Sequence, residues 1–375
     1  MNAPAQPTAQ QLAMMNMQAR SNLINSGLHM VKQLQPVSGA LGTSIRVPLQ
    51  RMGVMTGIML DFDVPVNITA AATQSPFGPY NLVSSISYTD YAGILRVNTS
   101  GYQLHMLNCF RGHRLMNNAA KESGFITNAE TGIDTNILHL PTAVAADTMR
   151  FSLYIPIAYD ANSDLRGAVL SQTQYGDHYV TITFAPGLVA ADQFTAPYSA
   201  GTAALQAGQL ASVTAYQHYI MPQNGVNDLP MIDLSTIYAI EGNYTDSQNI
   251  VAGQSKYINW PNNRSILSAS HIFDNGNSGT LNGTDVNKIV LLGNSNTNIR
   301  EMSPRYLRNQ MRYQLGTDTP SGVYYVSSRA QPITTVLYGN VQSRFDILTA
   351  NAGAYFINQY ESTYLGGTPL PGVTQ

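Results

Sequence analysis

The chain has 375 residues, 44% of them apolar and only 11% charged, with 19 basic against 21 acidic side chains for a net charge of −2. That length exceeds the roughly 250–300 residues at which one hydrophobic core stops growing, so two domains are expected. Charged content far below the usual ~25% leaves Asn, Gln, Ser, Thr and Gly on the surface, which loses less on desolvation and favours wide subunit contacts.

The first acidic side chain is Asp61, while Arg20, Lys32, Arg46 and Arg51 all precede it, which leaves 15 basic against 21 acidic residues in the rest. A basic, Met-rich front end (Met14, Met15, Met17, Met30) thus joins a mildly acidic body, a polarity suited to an N-terminus that meets an anionic surface. Leu12, Met15, Ala19, Leu23, Leu28, Val31 and Leu34 recur at helical spacing. Pro36 and Gly39 end the pattern. The expectation is a helical arm over residues 1–40, packed on its own body or a neighbour, or touching lipid. The residues that would make that contact are Arg20, Lys32, Leu12, Met15, Leu23, Leu28 and Val31. No apolar run approaches the ~20 residues of a membrane-crossing helix. No secretory signal is expected, and the single Cys109 excludes an intramolecular disulfide and fits a reducing cytosol.

Beyond Ala40 the period is two. Met149, Phe151, Leu153, Ile155 and Ile157 alternate with polar or small residues, as do Val180, Ile182 and Phe184. In the second half Ile232, Leu234, Tyr238 and Ile240 alternate, as do Leu267, Ala269, His271 and Phe273. Each run reads as an antiparallel strand with one face on a core. Met221–Pro230, two prolines around an Asn-Gly turn, reads as the linker, which divides the body into 41–226 and 227–375. One helix is expected near Gly101–Asn118. A second has Ser303 as N-cap, Pro304 at its first position and Gly316 as its stop. Roughly eight strands and one crossing helix per unit, twice, suggest an all-β fold of two eight-stranded jelly-roll sandwiches.

Chemistry is sparse. The P-loop, GxGxxG, HExxH, GxSxG and CxxC patterns are all missing, and no catalytic residue is assigned. Asp160 with Asp164 and Asp228 with Asp233 stand where turns meet strands, as turn caps. His105, Cys109 and His113 fall at i, i+4 and i+8, but the outer two would lie about 12 Å apart along a helix, too far for one ion. The Asp274–Gly279 loop lacks the donors of a calcium site. No metal or cofactor is expected. Arg305, Arg308 and Arg312 form a basic stripe on the second helix, read as a solvated face because no aromatic residue interleaves on it and the chain is acidic overall. Specific nucleic-acid binding is not expected.

Six colinear segments then resemble one family: FGPYNLVSSISY (Phe77–Tyr88), SGYQLHMLN (Ser100–Asn108), DLRGAVL (Asp164–Leu170), LPMIDLSTIY (Leu229–Tyr238), FDNGNSGTLNGTDVN (Phe273–Asn287) and GVYYVSSRAQPITTVLYGNV (Gly322–Val341). They are similar to the major capsid proteins of tectiviruses, tailless icosahedral phages with a membrane inside the shell. The loops Ala185–Phe194 and Glu241–Gln254 diverge. The resemblance implies a double jelly roll, a homotrimer with a pseudo-hexagonal footprint, and many trimers tiling a capsid. It also implies an arm facing the internal membrane lipids or neighbouring trimers, minor capsid and vertex proteins as partners, and synthesis in the host cytoplasm. A jelly roll that binds receptors or glycans is the alternative, and it would require exposed aromatic clusters such as one around Trp260.

Overall fold

A computed structural model describes residues 8–111, 138–171, 176–192, 194–222, 236–276, 283–294, 297–315 and 322–364. The first half carries β1 (Leu28–Gln33), β2 (Val37–Gly39), β3 (Ser44–Pro48), β4 (Val54–Gln74), β5 (Val83–Thr89), β6 (Leu95–Thr99), β7 (Ala145–Pro156), β8 (Val169–Leu170), β9 (Tyr179–Phe184), β10 (Tyr198–Leu205) and β11 (Ala211–Met221). The second half carries β12 (Tyr238–Asp246), β13 (Ser255–Asn259), β14 (Arg264–Asp274), β15 (Val286–Gly293), β16 (Thr297–Met302), β17 (Val323–Ser327), β18 (Ile333–Thr334), β19 (Gln342–Ile347) and β20 (Tyr355–Tyr364). Three helices accompany them among the described residues: α1 (Ala9–Ser26), α2 (Gly101–Phe110) and α3 (Pro304–Leu315).

These strands form two sandwiches that share a sheet. In the first, a sheet of path β1-β11-β4-β10, joined by β2, β7 and β8, packs on β6-β5-β9-β3. In the second, β17-β14-β20-β12 packs on β13-β19-β15-β16. The inner sheets fuse through a parallel pairing of β12 with β6, Ile240 opposite Val97 and Glu241 opposite Asn98. The architecture is the double jelly roll, with eleven described strands before the junction and nine after it.

The alternating runs point inward as their period requires. Met149, Phe151, Leu153, Ile155 and Ile157 are all buried, and Phe151 stacks on Phe62 with centroids 4.5 Å apart. In the second sandwich Ile240 is buried, whereas Ile232 and Leu234 lie outside the described residues, as do 223–230 of the linker. One expectation fails on β14. Both faces of this strand are buried, because the fused sheet has a sandwich on each side. A bulge between Ile266 and Ser268 turns Leu267 toward the first core, while Ile266, Ala269 and Phe273 serve the second.

A second expectation is corrected at the arm. The helical period ends at Ser26; Leu28–Gln33 is a strand paired residue by residue with Met221–Tyr216 of β11. Gly27 makes the change possible, since a Cβ there would collide with Ile220 and the Leu23 carbonyl. A free strand edge on β11 then outweighs a period that Leu28, Val31 and Leu34 satisfy only by chance. Residues 28–39 are therefore part of the first sheet, not of an arm.

Candidate functional site

α1 begins with a reciprocal cap: Thr8 Oγ1 accepts from Gln11 N–H at 3.3 Å while Gln11 Oε1 accepts from Thr8 N–H at 2.8 Å. Of the seven residues expected to make the arm contact, the structure keeps few together. Met15 is 62% exposed on the helix, beside Met14. Arg20 is half-buried. Leu23 is buried against Val54, Leu165, Ala168 and Ile220, so it anchors α1 to the body and is not available to an outside surface. Leu28, Val31 and Lys32 sit exposed on β1. The side chain of Leu12 lies outside the described residues.

β1 is unusual in that all six residues are exposed although the strand is fully paired. It forms one wall of a groove of about 390 Å³, whose other wall is the Pro156–Asn162 segment and whose floor includes Thr56, Met59, Tyr154 and His218. The Tyr154 ring lies across Gly57, where any Cβ would strike it, and His218 meets that ring edge-on at 5.8 Å. Burial keeps the His218 imidazole below its ordinary pKa, hence neutral. Asp160 is occupied by its own turn, accepting from Asn162 N–H and Ser163 Oγ, and Asp164 accepts from Arg166. Both carboxylates act as the turn caps expected of them; Asp228 and Asp233 lie outside the described residues.

On α3, Ser303 Oγ accepts from Tyr306 N–H at 3.1 Å, the expected N-cap. Leu307 and Met311 bury one face, and Arg305, Arg308 and Arg312 share the other. Tyr306 is 54% and Tyr313 93% exposed, but at 3.6 residues per turn they stand about 100° and 80° round the helix from Arg305, between the arginine stripe and the buried side rather than among the arginines.

α2 is capped by Ser100 and Gln103 and is buried along almost its whole length. His105 stacks on Tyr80 at 3.6 Å, with the Cys109 thiol 3.6 Å from its Nε2. His113 lies outside the described residues, as do 277–279 of the acidic loop. Asp274 accepts from Gly276 N–H as a turn cap, and Asp285 binds Asn275 and Thr349. Among the described residues no three His, Cys, Asp or Glu side chains stand close enough to hold a metal, and no helix is long and apolar enough to cross a membrane.

Two polar clusters escaped the sequence reading, because each joins residues from separate strands and loops with no shared period. At the junction of the sandwiches the fully buried Glu361 pairs with Arg329 at 2.7 Å and Arg111 at 3.6 Å, and accepts from Tyr238 and Ser268 hydroxyls. Burial alone would raise its pKa, but the two guanidiniums and Ser268 prevail and hold it at about 2. In the second core Trp260 donates to Ser343 Oγ at 2.7 Å, Ser343 reaches His271 Nε2 at 3.2 Å, and His271 Nδ1 meets Asn358 Oδ1 at 2.7 Å. The indole can only donate, and the network suits a neutral His271 that donates from Nδ1 to Asn358 and accepts at Nε2, the form that burial favours by lowering its pKa to about 4. Trp260 is thereby 2% exposed, which removes it as a sugar-stacking platform.

Residues 5–221 match the family described as P3 major capsid protein N-terminal, and residues 235–368 the family described as P3 major capsid protein C-terminal. The major capsid protein P3 of Enterobacteria phage PRD1 is 30% identical over 379 residues, 94% of this chain and 93% of that protein. Among solved structures, the STIV MCP superposes with a TM-score of 0.67 at 13% identity, covering 93% of this chain and 100% of that one. The major capsid protein P2 from bacteriophage PM2 gives 0.52 at 11% identity, covering 91% and 100%. At such identities the structural likeness speaks to the fold alone.

Proposed function

We propose, from the premise that this chain belongs to the P3 major capsid protein family, that it self-assembles as pseudo-hexagonal trimers which tile the icosahedral shell of a membrane-containing phage. It is a major capsid protein of the PRD1-like kind, a structural protein of the virion. The observation that carries the finer reading is the fused double sandwich: two similar barrels per chain, repeated three times, supply six near-equivalent corners for a hexagonal tile. The low-charge surface supports wide contacts between copies.

In this reading α1, with Met14 and Met15 outward and no acid before Asp61, faces the internal membrane or a neighbouring trimer. The units 28–222 and 236–364 form the wall. Minor capsid and vertex proteins meet the tile at its edges. Catalysis, cofactors and sequence-specific nucleic-acid contacts have no part in this role. Light scattering on the purified chain tests the trimer: a particle near three times 40.7 kDa supports it, and a monomer at tens of micromolar rejects it.

A further inference from the structure

The groove beside β1 has a counterpart elsewhere on the same chain. Between β18 and β19 the turn Thr335–Tyr338 raises Val336 (58% exposed) and Leu337 (75% exposed) into solvent. It is a rigid turn. Thr335 is buried and exchanges three hydrogen bonds with the Arg264 backbone, of 2.9, 3.0 and 3.0 Å. Leu337 N–H donates to the Thr334 carbonyl at 3.0 Å, and Asn294 N–H to that of Tyr338 at 2.7 Å. Gly339, with φ of 61°, closes the turn where a side chain would be strained. Two apolar side chains held this firmly outward are preorganised for contact, because little conformational freedom is left to lose on docking.

Knob and groove stand at one level of the molecule. Thr334 lies opposite Ser265, Ser265 opposite Thr363, and Thr363 opposite Tyr238, a single row across four strands. Tyr238 in turn meets Tyr159 of the groove with centroids 6.1 Å apart. A projection on the second sandwich and a recess on the first, at equal height, are the elements of a head-to-tail contact. Such a contact closes into a ring when both partners keep the same level. The turn from Thr334 to Asn340 carries no charge, and the groove's one carboxylate, Asp160, is held by its own loop. Neutral surfaces of this kind make interface centres. At about 30 Å³ per water-sized group, the groove has room for the seven side-chain carbons of a Val–Leu pair.

We infer that the Val336–Leu337 turn of one copy seats in the groove between β1 and the Pro156–Asn162 segment of the next, making the contact that closes the ring. The inference rests on the self-assembly reading above and assigns it a surface. Both sides are exposed in a single copy, so Leu337→Asp and Val31→Asp leave its fold intact, checked by circular dichroism and melting. In light scattering each variant is expected to fall from three chains to one at concentrations where the wild type stays assembled. Variants that remain trimers overturn the assigned surface and leave self-assembly standing; a wild type that is itself a monomer overturns both. Covalent trapping gives an independent readout. In a Cys109→Ser background, chains carrying only Leu337→Cys are co-expressed with chains carrying only Asn162→Cys, and a disulfide-linked dimer that neither forms alone is expected. Its absence from wild-type-sized trimers also overturns the surface.

Discussion

Glu361, near the end of β20, lies 3.6 Å from the guanidinium of Arg111, the residue that follows α2, and so ties the second sandwich to the first. Arg111 also donates to the Tyr159 carbonyl and rests over the Tyr159 and Tyr238 rings at 5.6 and 5.5 Å. With Arg329 on its other oxygen, the fully buried Glu361 stands between two cations, Arg111 buried and Arg329 reaching partly into solvent.

Glu361→Gln removes that charge and leaves two guanidiniums facing each other in low dielectric. Breaking a buried pair from one side costs about 3–5 kcal/mol, so the midpoint of urea unfolding is expected to fall sharply. Arg300→Ala, whose guanidinium donates to the Ser327 carbonyl, serves as the milder comparison. The pH dependence follows from the sign of the shift. Because the folded pKa is depressed to about 2 from 4.5, the contribution is whole above pH 4.5 and is lost as pH falls through 2. Unchanged acid stability in Glu361→Gln relative to wild type would exclude this role.

His271 titrates in another window. Burial depresses its pKa to about 4 from 6.5, against a smaller opposing pull from Asn358. The unfolded chain therefore binds a proton between pH 6.5 and 4 that the folded chain refuses, and stability falls as pH drops through that interval. At 1.36 kcal/mol per unit the loss is of order 3 kcal/mol. His178, between the hydroxyls of Tyr91 and Tyr88, shifts in the same direction. Denaturation midpoints taken from pH 7 to 4 should decline in wild type and decline less in His271→Gln; parallel slopes would refute the assignment.

Phe151→Ala tests the first core. Its ring stacks on Phe62 and meets Tyr80 edge-on at 5.4 Å, with 1% of its surface exposed. A loss of about 3–5 kcal/mol is expected in thermal or urea unfolding. Ser152→Ala, on the opposite side of the same strand, loses only its hydrogen bond to Asp61 and should cost about 1 kcal/mol.

The periodic strands were legible because one buried face imposes alternation, and Met149–Ile155 follow it until Pro156, which is buried together with both its neighbours. β14 did not follow it, since a strand enclosed on both sides needs no polar face, and nothing local tells a reader that β12 and β6 will join. The caps at Ser100 and Ser303 are local hydrogen bonds and could be read directly or nearly so. Glu361 with Arg111, and His271 with Trp260, could not: their spacing of 250 and 11 residues carries no period, and only the fold brings them together. Leu28–Gln33 misled for a different reason. Six residues with three apolar positions satisfy a helix and an edge strand alike, and the pairing edge on β11 decides.

Truncation separates the helix from the strand. From sequence alone, deletion of Met1–Leu34 is expected to leave a folded body. The structure reverses this, because the cut removes β1 and the buried Leu23 and Leu34. Two leucines at about 2–5 kcal/mol each predict a strongly destabilised body in that deletion, whereas a cut before Ser21 keeps Leu23 and the strand and should melt close to wild type. Equal melting of the two would show that α1 and β1 contribute nothing to the body.

The charges of the arm part company in the same way. Arg20 lies on α1, the helix that bears the exposed Met14 and Met15, while Lys32 stands on β1 beside the groove. A cation near an anionic bilayer contributes about 1 kcal/mol, falling off within a Debye length, which is roughly fivefold in partition. Arg20→Glu should therefore weaken sedimentation with vesicles containing anionic lipid by about that factor or more, with the difference shrinking at high salt. Lys32→Glu should leave vesicle binding unchanged, because the strand is held in the sheet by six paired residues and cannot follow α1 onto a surface. If both reversals weaken binding equally, the strand shares in the contact and α1 does not act alone. If neither does, α1 holds neighbouring trimers together, and its lack of acids reflects a protein partner.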